Sequence, residues 1–446
     1  MKLVDLIIKN GAVLTVDNTG SIFFPGAVAV KGDSIVAVGM HNEICGGFKG
    51  KKEIDARGGI VMPGMVNTHT HASMSCFRGL ADDLPLMAWL KEHIFSAEAY
   101  LSYDMVYIGA RLACAEMILS GTTTFCDMYL FEDAVAEAAK NSGMRAVVGE
   151  VLYDFPSPNY GPIEKGFEYT EMLFHKWEND PLIKIAVEPH SPYLCSPELL
   201  KKAKMIADKY RAPLVIHVAE TKDEVNQIRE RYGDTPVSHL AKCGILCDRL
   251  IADHSVFLTD DEIAMFKQYE VKVAHNPESN MKLASGVSPI SKLISLGVTV
   301  GLGTDGCASN NNLDMFQEMD TAAKIHKVTE MDSTVMDAKT VVRMATINGA
   351  EVLGLKEICG SLEAGKRADI IVIDTKKPHL TPMYDYYSSL VYSANGSDIS
   401  TVIINGSVVC EERILTTIDL KTTMESAIQM SEKVKGYSSG YDTKCN

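Results

Sequence analysis

The chain has 446 residues, 46% hydrophobic and 23% charged, the make-up of a folded globular protein with a large core rather than a disordered one. A formal net charge of −15 with no Lys/Arg-rich run excludes the positive surface that a nucleic-acid or anionic-membrane partner requires. No apolar run reaches the length of a membrane span, and eleven cysteines without a C-x-x-C pair suit buried thiols in a reducing cytoplasm.

The first residues, MKLVDLIIKNGAVLTVD, alternate apolar and polar side chains and carry Asp5, which reads as a strand rather than a signal peptide. Short strands and turns continue to about Ile60, and the same pattern returns at Ala368–Asp374 and Ser400–Val409. Neither end holds enough apolar surface to fold alone. One small composite β-sandwich domain, built from residues 1–60 and from residues 361–446 with a C-terminal tail, is therefore expected around an inserted domain. Across residues 61–360 the rhythm becomes strand, turn, helix, with eight apolar or β-branched runs: MVNTHTH, TTTFCD, RAVVGE, IKIAVEPH, LVIHVAE, LIADHS, VKVAHNP and VTVGLGTD. Amphipathic stretches such as EDAVAEAAKN, SPELLKKAKMIADKY and DDEIAMFKQY lie between them, several starting at Ser, Thr or Asp. Eight such units predict an α/β fold of the (β/α)8 TIM-barrel type.

Each run ends in a group able to bind metal, move a proton or hold substrate: His71, Asp127, Glu150, His190, His217 with Glu220, His254, His275 and Asp305. In a barrel the carboxyl ends of the strands converge on one mouth, where barrel enzymes keep their chemistry. His69 and His71 are two apart, so on an extended strand both imidazoles leave the same face. Joined by His217 and Asp305, they form a mononuclear metal site with room for water. A water activated there needs a proton carrier, which we assign to Glu220, and a group to orient it, which we assign to His254. His275 and Asp127 are supporting candidates. His41, His175, His239, His326 and His379 read as solvated surface.

PGMVNTHTH, EPHSPYLCS, VIHVAET, IADHSV, HNPESNMKLASG and LGTDGCASNN, in this order and followed by GSLEAGKRADIIVID, resemble the amidohydrolase superfamily over nearly the whole chain. The resemblance is to the branch that deaminates 5'-methylthioadenosine, S-adenosylhomocysteine and related adenine nucleosides. It implies that His69, His71, His217 and Asp305 hold one divalent metal ion, zinc foremost, with Fe2+ or Mn2+ also suited to these ligands. It further implies that Glu220 and His254 are the catalytic pair, that Asp305 also takes the water's proton, that His190 contacts the base and that Glu98 holds the ribose hydroxyls. Where relatives acting on methylthioadenosine and homocysteinyl substrates carry an arginine, this chain has Glu150, which cannot pair with an amino-acid carboxylate. Uncharged nucleosides therefore rank above S-adenosylhomocysteine, with Glu150 as a substrate-binding candidate and Leu84, Met87 and Trp89 as a possible wall for the 5' group. The expected partner is a small-molecule nucleoside, with neither nucleic acid nor membrane, in a cytoplasmic homo-oligomer, dimer or tetramer. The alternatives are guanine or cytosine deamination, triazine chlorohydrolysis, and a barrel kept as a non-catalytic scaffold. A binuclear cyclic amidase is disfavoured, because the fourth run ends in Glu188-Pro189-His190 where such enzymes need a bridging ligand.

Overall fold

The computed structural model describes residues 1–80, 82–83 and 94–438, so Leu84, Met87 and Trp89 lie outside the described residues. The N-terminal segment forms β1 (Lys2–Leu14), β2 (Ile22–Lys31), β3 (Ser34–Met40), β4 (Phe48–Asp55) and β5 (Ile60–Pro63). β1 pairs antiparallel with β2, and parallel with β4 over Lys2–Lys9 and with β5 at Ala12 and Val13. Its ladder with β2 shifts register around Asn10, whose φ of +60° is the mark of a bulge that bends a strand.

The eight runs follow in order as β6 (Met65–Thr70), β7 (Thr122–Tyr129), β8 (Arg145–Leu152), a fourth in two pieces, β9 (Ile183–Ile185) and β10 (Glu188–Pro189), then β11 (Leu214–Val218), β12 (Leu250–His254), β13 (Lys272–His275) and β14 (Val300–Leu302). All pair in parallel with their neighbours, β6 to β10 in one sheet and β11 to β14 in another. Every residue of β6, β7, β8, β11 and β12 is buried, as befits parallel strands covered on both faces. Helices occupy the amphipathic stretches. Ser196 caps Pro197–Tyr210, and Thr259 with Glu262 forms a capping box on Asp260–Gln268.

Hydrogen bonds cross between the two parallel sheets at both edges. On one side Val187 bridges Leu214 and the Val215 amide donates to the Val187 carbonyl at 3.0 Å. On the other the Asp305 amide donates to the His69 carbonyl at 3.0 Å, while Asn67 and Thr304 exchange bonds of 2.7 and 3.0 Å. These bonds tie the first run to the eighth, and so set His69 beside Asp305.

The chain returns in β15 (Ile370–Ile373), β16 (Ile399–Ile404), β17 (Ser407–Glu411) and β18 (Ile414–Leu415). β15 lies antiparallel to β5, with Val372 opposite Val61, so strands from both ends share one nine-stranded sheet. Arg145, at the start of β8, ties this sheet to the parallel strands through a two-bond pair with Asp369, at 2.9 and 3.3 Å. Both side chains are buried, and removing one member of such a pair costs about 3–5 kcal/mol because the other charge is left unpaired. The segment read as a tail carries a helix, Leu420–Ser438, which packs on the helix Tyr103–Leu119 and buries Val434. Among the described residues no helix is long and apolar enough to cross a membrane, and the ten described cysteines are all free.

Candidate active site

His71, His217, Asp305, Glu220, His254, His190 and Glu98 line one cavity at the carboxyl ends of the parallel strands, and His69 is buried against it. The His69 ring centroid lies 4.9 Å from those of both His71 and His217. Two of the three imidazoles are held by Nδ1, and the third has a carboxylate facing it there. His217 Nδ1–H donates to the His190 carbonyl at 2.7 Å, His71 Nδ1–H donates to the Met128 carbonyl, and His69 Nδ1 faces Asp253 Oδ2 at 3.2 Å. A carbonyl can only accept, so His71 and His217 each carry a proton on Nδ1 and keep Nε2 facing inward.

Asp305 Oδ1 lies 3.2 Å from His71 Nε2 and 3.6 Å from His69 Nε2. Ligand atoms of His69, His71 and Asp305 all lie within 4.8 Å of one another, as do those of His69, His217 and His254. Donors bonded to one zinc-sized ion at about 2.1 Å stand roughly 3–4 Å apart, so this donor set fits a single divalent ion after small movements. Neither ring nitrogen of the buried His69 makes a hydrogen bond among the described residues, which is anomalous for a structural histidine and ordinary for a ligand. The electrostatics point the same way. Burial disfavours charge on His69, yet the facing carboxylates of Asp253 and Asp305 outweigh it and raise its pKa to about 10, so the pocket attracts positive charge.

Around this centre, burial lifts Glu220 above the ordinary carboxylate range, against the pull of His254. Burial, reinforced by the neighbouring imidazoles, lowers His190 to about 3, so it stays neutral. His254 donates from Nδ1 to Asn280 Oδ1 at 2.9 Å, which leaves its Nε2 free toward the same point. Glu98 accepts from the Tyr129 hydroxyl at 2.7 Å.

Glu150 does not join them. Its carboxylate accepts from the Glu132 amide at 3.0 Å and from Asn159 Nδ2 at 2.8 Å. It thereby caps the helix Glu132–Ser142, whose own N-cap, Phe131, supplies no side-chain acceptor. His275 bonds through Nε2 to His326 Nε2 at 3.0 Å, and Asp127 receives the Thr70 hydroxyl and the Ala72 amide, so both act behind the site. His326 and His239 are buried, correcting their reading as solvated surface: each lies on the inner face of its helix.

The amidohydrolase family model matches residues 60–409. The chain belongs to the amidohydrolase family. This amidohydrolase is 55% identical over 431 residues to the 5-methylthioadenosine/S-adenosylhomocysteine deaminase of Syntrophobacter fumaroxidans, covering 97% of this chain and 98% of that one. It is 44% identical to the 5'-deoxyadenosine deaminase of Methanosarcina acetivorans, with 97% and 99% covered. A solved structure of an adenosine deaminase from Xanthomonas campestris with bound zinc superposes with a TM-score of 0.96 at 37% identity, covering 98% of this chain and 99% of that one.

Several residues of this amidohydrolase that matter at the site were given no role from sequence. Asp253 orients His69, Asn280 orients His254, and the Ser279 hydroxyl donates to Asp305 Oδ2 at 2.6 Å. Ser279 and Asn280 both lie in HNPESNMKLASG, a motif whose polar residues sit on a short helix, Pro277–Lys282, directly after β13. A polar pair buried at the end of a strand is the signal that could have found them.

Proposed function

We propose that this amidohydrolase uses one divalent metal ion, zinc, to hydrolyse adenine nucleosides to their inosine analogues and ammonia. The observation that carries it is the convergence of His69, His71 and His217 with Asp305 at a cavity that Glu220 enters. The deaminases among its relatives support it, as does the zinc bound in the Xanthomonas campestris structure. We read the two parallel sheets, joined by hydrogen bonds at both edges, as a closed (β/α)8 barrel over residues 61–360. The terminal sheet, which turns at the β1 bulge, is read as a small sandwich from residues 1–60 and 361–446.

His69, His71, His217 and Asp305 would hold the ion, which when bound lowers the pKa of a coordinated water toward neutrality. The remaining work falls to side chains. His254 orients the water through Nε2, and Asp305 takes its proton as the oxygen bonds to C6 of the purine. Glu220 supplies a proton to N1, so the ring does not accumulate negative charge. Breakage of the C6–N bond, with the amine protonated by Asp305 and the proton of the new C6 hydroxyl returned to Glu220, releases ammonia and leaves the C6 carbonyl. His190, neutral, contacts the base, and Glu98 accepts the ribose hydroxyls.

Burial raises Glu98 to about 7, opposed by the Tyr129 hydrogen bond. Above that pH it is a carboxylate that accepts from both hydroxyls, and below it one oxygen carries a proton. KM for the nucleoside should therefore rise about 3–10-fold as pH falls from about 8 to about 6, and a Glu98→Gln variant should show a flat profile. A wild-type KM without pH dependence removes the ribose role.

The outer cavity is lined by Met74, Leu130, Val151, Tyr153, Phe155 and Leu194, and no Lys or Arg lines it among the described residues. Tyr153 and Phe155 stack with centroids 3.9 Å apart. A nonpolar 5' substituent suits such walls, whereas an amino-acid carboxylate finds no cation. With Glu150 withdrawn to cap a helix, this lining is what now argues for the ranking. A panel read by ammonia release tests both the activity and its preference. 5'-Methylthioadenosine and 5'-deoxyadenosine are expected to exceed S-adenosylhomocysteine by about 10-fold in kcat/KM. Equal or greater turnover of S-adenosylhomocysteine overturns the preference, and no turnover of any member overturns the activity.

A further inference from the structure

Glu224 is a buried carboxyl group. It is the third residue of the helix Lys222–Tyr232, whose N-cap, Thr221, accepts the Glu224 amide at 3.2 Å. In an ordinary capping box the acid at that position returns to the N-cap residue's own amide. Here it reaches further back. Oε1 accepts from the Ala219 amide and Oε2 from the Glu220 amide, each at 2.8 Å.

Ala219 is fully buried with φ of +52°, a left-handed conformation that costs a side chain bearing a Cβ and persists only where its surroundings hold it. Its carbonyl is held as well, accepting from the Val256 amide at 3.1 Å and the Phe257 amide at 2.9 Å, just beyond His254. The turn that carries Glu220 is thus fastened on one side by Glu224 and on the other by the turn that carries His254. The Glu220 carboxylate itself takes no hydrogen bond among the described residues, so its aim into the cavity comes from its backbone.

We propose that Glu224 is a positioning residue for the deamination: by accepting both amides it locks the strained Ala219–Glu220 turn and fixes where the Glu220 carboxylate meets the purine ring. This rests on the reading of Glu220 as the proton donor. Glutamine at this position can accept only one amide and turns its own NH2 against the other, so the clamp is half lost while size and burial are kept.

The test compares E224Q and E220Q with wild type as zinc-loaded full-length proteins, well below their melting temperatures. E224Q is expected to lose about 10²-fold in kcat, the scale of a misplacement near 1 Å, with KM within about threefold and zinc content unchanged. E224D keeps the carboxyl group but is one methylene too short to reach both amides. It should fall with E224Q and serves in its place if E224Q does not fold. In the wild-type protein the Ala219 and Glu220 amides should exchange slowly with solvent. Wild-type kcat in folded E224Q or E224D, or fast exchange at those two amides, overturns the proposal. Full activity in E220Q overturns instead the reading on which it stands.

Discussion

Replacing Glu220 with glutamine is expected to lower kcat by about 10³-fold while leaving KM within about threefold and the bound metal at one ion per chain. The side chains have the same shape, and the amide can still donate a hydrogen bond to N1 of the purine, so ground-state binding survives. What is lost is a transferable proton. Burial raises the Glu220 pKa, the direction that suits a proposed proton donor. Glu220 is not in either group of side chains that converge on the metal position, so the ion should stay in place. Steady-state kinetics with metal analysis on the same sample checks this. An E220Q enzyme within about threefold of wild-type kcat would remove Glu220 from proton transfer.

Removing the metal should have a still larger effect, at least about 10⁴-fold, because water then loses the roughly eight-unit drop in pKa that a coordinated ion supplies. One equivalent of Zn2+ per chain should restore full activity. Asp305→Ala should fail to recover at one equivalent, since it removes the carboxylate facing His69 and His71 and the acceptor of the water's proton. Titration of the chelated protein, read by activity and by bound zinc together, measures this. Chelated protein that keeps its activity without detectable metal contradicts the whole arrangement.

The proposed metal ligands were legible in sequence because they lie at or just past the ends of the parallel runs. His69 lies in β6 with His71 one residue beyond it, and His217 in β11 and Asp305 just past β14 are brought to the same edge by the parallel strands. Glu150 shows where reading only the ends of runs falls short. Along β8, Val147 and Val151 pack toward the cavity, while Ala146, Val148 and Leu152 pack toward the helices. Glu150 shares the second set's parity, so it points away from the mouth and meets a helix terminus. Strand alternation, applied to RAVVGE, was enough to exclude it.

His254 is the converse. By parity Asp253 is the residue of β12 that faces inward, and it does reach His69. His254 enters the cavity only because its backbone turns to φ of +64°, which no spacing rule announces. Asp253, Asn280, Ser279 and Glu224 escaped notice for a related reason: each acts across elements far apart in sequence, through contacts that exist only once the parallel strands are side by side.

The most direct measurement is to incubate the zinc-loaded protein with 5'-methylthioadenosine in heavy-oxygen water and weigh the purine product and the released nitrogen. Hydrolytic deamination predicts one heavy oxygen at C6 of a methylthioinosine product and one ammonia per turnover. Unlabelled product, cleavage of the glycosidic bond instead of the C6–N bond, or no conversion by protein with its full complement of zinc would contradict it.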